Sequence, residues 1–144
     1  ATDTGLYVGK LKGLSAVNVI NVKDSLNVPS DMFVVTADYY QANKKLLRRF
    51  LSAYRDSAAW MIAQPEEAAK IAVDRSINGR NEPVNLDIIK IRNISAQSET
   101  TKSKGLGHFD LDVLQLGADA YLAHGLIKSK LNMNQVIKSD LIPE

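Results

Sequence analysis

The chain has 144 residues, the length of one domain with room for a core, and its 45% apolar and 24% charged composition is that of an ordinary globular protein. With 18 Lys and Arg against 16 Asp and Glu, the formal charge of +2 is too small to point to a nucleic-acid or anionic-membrane partner. The absence of cysteine removes disulfides, thiolate metal sites and thiol nucleophiles together, and no apolar run approaches the roughly 20 residues that cross a bilayer.

The first residues, Ala-Thr-Asp-Thr, include neither an initiator methionine nor a signal peptide, as expected of a processed product or a piece of something longer. Asp3 or Thr4 is expected to cap a short helix through Leu11, with Gly13 as its stop. Lys10 lies among glycines, but the phosphate-loop spacing is missing. In Ala16 to Val22 valine or isoleucine alternates with asparagine, the pattern of a half-exposed strand. Lys23 to Asp31 reads as a polar connection, with Asn27, Pro29 and Ser30 as turn formers.

Met32-Phe-Val-Val predicts a short strand buried on both faces. Thr36 is placed to cap the long helix that follows. On its wheel Leu46, Leu47, Phe50, Leu51, Tyr54, Ala58 and Met61 make an apolar face, opposite Lys44, Lys45, Arg48, Arg49, Ser52, Arg55 and Asp56. Pro65 ends that helix and suits the first turn of another, where Glu66 and Glu67 meet a positive terminus. Turn chemistry from Ser76 to Pro83 ends the second helix near Gly79.

Asn85 to Gln97 fits a helix from an Asn85 cap about as well as a strand, and length favours helix. Ser95 to Gly107, rich in Ser, Thr and Lys, is expected to be an exposed, mobile loop. Asp110 is the expected N-cap of the next helix, with Phe109 stapled onto Leu114, a stripe of Leu111, Leu114, Ala118, Tyr121 and Leu122, and Gly125 as the left-handed end. Asn134 to Leu141 closes the chain with a helical turn or two, stopped by Pro143.

Residues that carry chemistry are sparse. His108 and His124 lack partners at metal-ligand spacing, and position at a helix C-terminus accounts for His124. Glu66 and Glu67 point about 100° apart on a helix and cannot flank one substrate bond. Trp60 lies at the edge of the apolar face, suited to rim packing. Asn93-Ile94-Ser95 matches a glycosylation sequon. No Ser-His-Asp order, G-x-S-x-G or G-x-G-x-x-G occurs, so the expectation is a protein that is not an enzyme and has no cofactor and no metal site.

Phe33 to Thr36, Leu46 to Trp60 and Gln64-Pro65-Glu66-Glu67-Ala68-Ala69 together resemble a pattern of bacterial ABC-importer substrate-binding proteins, in the group for taurine, aliphatic sulfonates, nitrate or thiamine precursors. Phe109-Asp110-Leu111-Asp112, Gly125-Leu126-Ile127 and Leu141-Ile142-Pro143 extend the resemblance. It implies an α/β fold: the mainly helical C-terminal portion of a two-lobed, type II periplasmic-binding-protein fold with a small sheet. Residues 1–36 would end the second lobe, and 37–144 would be a helical part returning toward the first. The implied function is non-catalytic solute binding for import, with a small, anionic or sulfonate-like solute, a membrane permease as partner, no nucleic acid and an extracytoplasmic or periplasmic location. Ala1 to Tyr7 resembles a cleft-facing family segment, with Thr2 where tryptophan is usual, which makes Asp3, Thr4 and Tyr7 the ligand-binding candidates. A truncated lobe would also leave apolar surface open to homodimerisation. The alternative is a helical interaction module that presents Lys44, Lys45, Arg48 and Arg49 to an acidic partner.

Overall fold

A computed structural model describes residues 2–29 and 31–142. The turn role of Ser30, the stop at Pro143 and the first residue of the Ala1–Tyr7 segment lie outside them.

Backbone donors and acceptors at the helix ends explain most boundaries. Helix α1, Asp3–Leu11, is capped by Thr2 rather than by Asp3 or Thr4: its Oγ1 accepts from the Gly5 amide at 3.1 Å. Gly13, at φ 89°, ends it as expected, with the amides of Gly13 and Leu14 returning to the carbonyls of Lys10 and Gly9. Helix α2, Ala37–Ala63, starts at the Thr36 cap. Pro65 opens α3, Pro65–Arg75, and Asn81, not Asn85, caps α4, Glu82–Ser95, through a 3.0 Å bond from the Val84 amide. Asn85 instead donates from Nδ2 to the carbonyls of Gly79 and Asn81 inside the new helix.

The expected mobile loop at 95–107 is instead interrupted by a short helix, α5, Glu99–Lys104. Ser98 and Thr101 cap each other, since the Ser98 amide donates to Thr101 Oγ1 at 2.7 Å and the Thr101 amide returns to Ser98 Oγ at 3.1 Å. Helix α6, Leu111–Ala123, has Asp110 as its cap and Gly125, φ 70°, as its left-handed stop. Helix α7, Met133–Val136, and a 3₁₀ turn, Ser139–Leu141, close the described chain.

The two expected strands do not form: among the described residues the protein has no strand. Ala16–Ile20 and Met32–Val35 make no backbone–backbone hydrogen bond there, and Ile20 and Val34 are 91% and 85% exposed. Among its described residues, the link between α1 and α2 is interrupted only by a 3₁₀ turn, Val22–Asp24. The physical reason is non-local: alternation supplies two usable faces, but a strand exists only when a second strand takes its amides and carbonyls.

The apolar face expected for α2 is only partly covered, with Leu46, Phe50 and Tyr54 about half exposed, Leu47, Leu51, Ala58 and Met61 half-buried, and Tyr40 the buried residue of this helix. Phe33 of the preceding segment rests on it, edge-on to Phe50 and Tyr54 at centroid distances of 5.1 and 4.8 Å. Apart from Tyr40 and Leu141, the buried apolar groups form two small clusters. Ala68, fully buried Ala69 and Ile89, with Met61 and Leu86, hold α3 and the end of α2 on α4. Leu114, Ala118 and Met133, with Phe109, Leu111 and Ile137, hold α6 on α7, so the expected staple residue packs on its cluster while Tyr121 of the stripe stays exposed.

Candidate functional site

Asp3 and Tyr7 stand four residues apart on α1, hence on one face, and that face lies along α4. Tyr7 Oη donates to Asp87 Oδ2 at 2.6 Å, and Ser95 Oγ reaches Asp3 Oδ2 at 3.5 Å, so the two helices run antiparallel. The hydrogen bond to Asp87, with lesser help from desolvation and the carboxylate's charge, holds the Tyr7 phenol above its ordinary pKa. Thr4 is not brought to this seam; its hydroxyl lies 3.3 Å from that of Thr2. The seam therefore presents two carboxylates, a phenol that already donates to one of them, and the first turn of a helix. Asp87 and Ser95 had no signal in the sequence, because their partners lie 80 and 92 positions away.

The basic face of α2 is divided. Lys44 Nζ lies 3.3 Å from Asp140 Oδ2 and 4.5 Å from the Tyr40 ring centroid, and Arg48 Nη2 donates to the Asp140 carbonyl at 2.8 Å. Tyr40 Oη donates to Asp140 Oδ1 at 2.6 Å. The Tyr40 bond, followed by those to Asp140, raises the Lys44 pKa; the Tyr40 and Lys44 bonds hold the Asp140 carboxyl below its usual range. Two of the four cations proposed for an acidic partner are thus already turned to the chain's own C-terminal turn.

Concave surface lies elsewhere. A cleft of about 580 Å³ between α2, α3 and α4 is lined mainly by Trp60, Met61, Ala68, Ile71 and Ile89, with Asp56 and Ser57 at its polar side. Trp60, 43% exposed, is the rim residue its position suggested. Neither this cleft nor a smaller one bounded by Ile62, Gln97 and Leu106 includes Asp3, Thr4 or Tyr7. On α4, Asn93 is 8% exposed; its Nδ2 donates to the Met61 carbonyl at 3.2 Å, which buries the sequon's acceptor nitrogen. His108 Nδ1 lies 3.2 Å from the Gly105 carbonyl, and His124 is the C-cap of α6. Among the described residues no three His, Asp or Glu side chains gather as metal ligands, and no helix is long and apolar enough to cross a membrane.

Residues 2–68, which hold α1, the link after it and α2, match the model of a family of ABC-transporter substrate-binding proteins. The matching family is the one described as NMT1/THI5 like, of the nitrate, sulfonate and thiamine-precursor type. The match covers just under half of the chain and stops at Ala68, so the part of the resemblance that runs from Phe109 to Pro143 lies outside it. Members of that family are mainly non-catalytic binding proteins, although THI5 itself is a thiamine-pyrimidine synthase. Neither the curated proteins nor the solved structures gave a match.

Proposed function

We propose that this chain is the C-terminal region of an extracytoplasmic, non-catalytic solute receptor that delivers a small, anionic or sulfonate-like molecule to the permease of an ABC importer. The observation that carries the proposal is the family match over residues 2–68. It is supported by the two exposed segments, Ala16–Ile20 and Met32–Val35, whose apolar side chains and backbone without backbone partners among the described residues suit strands waiting for a sheet. In this reading the rest of a two-lobed, type II fold supplies that sheet. Residues 1–36 end the second lobe, and 37–144 return toward the first.

Asp3, Thr4 and Tyr7 are the proposed ligand contacts, with Asp87 fixing the Tyr7 hydroxyl. The first turn of α1 offers the positive end of a helix to an acidic group, and the carboxylates of Asp3 and Asp87 offer acceptors to an amine. Ligand selects the closed receptor by touching both lobes, so one lobe alone binds weakly. The uncovered apolar surface then favours self-association of the isolated chain.

Isothermal calorimetry of this chain with taurine, nitrate and a pyrimidine precursor of thiamine tests the reading. The expected result is no saturable heat in the micromolar range; micromolar binding by this chain alone overturns the one-lobe account. The gene sequence upstream of Ala1 tests the family reading separately. A signal peptide followed by a βαβ lobe is expected, and a start codon directly before Ala1 overturns it.

A further inference from the structure

Helix α2 is not continuous in its geometry. At Asn43 the backbone leaves helical values, φ −126° and ψ 23°, and the Asn43 side chain inserts into the ladder by donating from Nδ2 to the Tyr39 carbonyl at 3.0 Å. A side chain taking the place of a backbone donor is a recognised cause of a kink. The short arm before the kink, Ala37–Ala42, buries one side chain, Tyr40, and the helical elements that pack on α2 are α3, α4 and the turn Ser139–Leu141. The α3 and α4 contacts belong to the far end of the helix, around Met61, as the cluster with Ala68 and Ile89 shows.

One residue grips both sides of the kink. Asp140 accepts from Tyr40 on the short arm through Oδ1, from Lys44 on the long arm through Oδ2, and from Arg48, a further turn on, through its carbonyl. Beside it Leu141 is 4% exposed, and Tyr40 is 8% exposed, so the turn is seated rather than merely near. A residue that takes two donors on its carboxylate and a third on its carbonyl, from two helix segments, fixes their mutual angle, because moving either arm breaks at least one charge-assisted bond.

We infer that Asp140 is a clasp across a hinge in α2 at Asn43: while the turn Ser139–Leu141 is seated, the short arm is locked to the long one, and when it lifts, Ala37–Ala42 and the Met32–Val35 segment that feeds it swing as a lever. Hinges of this kind absorb a dihedral change at one or two residues and leave the flanking helices intact. The inference does not depend on the transport reading, since it rests on contacts within this chain.

The lack of cysteine makes the test direct. Spin labels at Asp38→Cys and Ala53→Cys span the kink at about 22 Å along the helix axis, and a second pair at Arg49→Cys and Ala63→Cys reports on the long arm alone. In the otherwise unchanged chain both distance distributions should be narrow. Asp140→Ala, and separately Tyr40→Phe, which removes one hydroxyl and keeps the ring, should broaden the first distribution about twofold and leave the second unchanged, as a released hinge requires. Lys45→Ala, one residue from the clasp but outside it, should alter neither. If the first pair stays narrow in both clasp variants, there is no clasp. If both pairs broaden together in both variants, the turn stabilises the helix generally and the hinge is refuted.

Discussion

Gly117 lies inside α6, where glycine ordinarily costs a helix about 1 kcal/mol relative to alanine. Its place is taken up by a neighbour: a Cβ built there would stand 3.0 Å from Val28 Cγ1 and 3.7 Å from Val28 Cβ. Gly117→Ala therefore sets two opposed effects against each other. The helix gains about 1 kcal/mol, while overpacking costs about 1–3 kcal/mol unless Val28 moves away. Val28 is half-buried on an irregular link, so it can leave at a cost of about 1 kcal/mol in lost burial. That escape limits the penalty, and the single variant should be near neutral or up to about 1 kcal/mol less stable. With Val28→Ala already in place the obstacle is gone, and the same glycine replacement should stabilise by about 1 kcal/mol. Urea unfolding of the four proteins, followed by the helical circular-dichroism band, gives the coupling, expected at about 1–2 kcal/mol. Additivity within about 0.5 kcal/mol would mean that Val28 does not sit on α6, and the packing of the link would have to be redrawn.

Three further outcomes follow from individual contacts. Asp110→Ala removes the acceptor for the amides of Asp112 and Val113 and should lower stability by about 1 kcal/mol in the same urea assay; Asp110→Asn should restore most of it. Because the folded Asp140 carboxyl is held below its unfolded value of about 3.9, its contribution is present above that pH and lost as pH falls through the lower folded value. The stability difference between the unchanged chain and Asp140→Asn should therefore shrink below about pH 4, and a difference that grows there contradicts the Tyr40–Asp140–Lys44 arrangement. Asn93 should remain unmodified when the chain is passed through a eukaryotic secretory host, as intact-mass measurement would record, since its amide nitrogen is buried on the Met61 carbonyl.

Features written in a few adjacent residues were legible beforehand. Thr36, Asp110, Gly13, Gly125 and Pro65 act where the sequence put them, because a cap or a stop needs only donors and acceptors within one turn. The Ser98 box escaped notice because its reciprocal partner is Thr101 rather than the usual glutamate or glutamine. The α2 stripe was correct as a pattern and only in part a core: α3 and α4 take up its Met61 end, while periodicity says that Leu46, Phe50 and Tyr54 share a face, not that an element covers them. For the candidate site, Asp3 and Tyr7 could be placed on one side of a helix from their spacing. Asp87, Ser95 and Asp140 could not, because each meets its partner across most of the chain.

The separation of the two buried clusters bears on how the molecule comes apart. Among the described residues the only helix that α6 packs on is α7, while α1 to α4 and the closing turn hold one another. Gln115 ties the smaller pair by accepting from the Met133 amide and donating to the Leu131 carbonyl, at 3.0 and 2.9 Å. Such an arrangement favours two cooperative units with separate opening free energies, tied across by the packing of Val28 on Gly117. Heat absorbed on melting should then exceed what the steepness of the spectroscopic transition implies, and amides of Leu111–Ala123 should exchange on a schedule of their own.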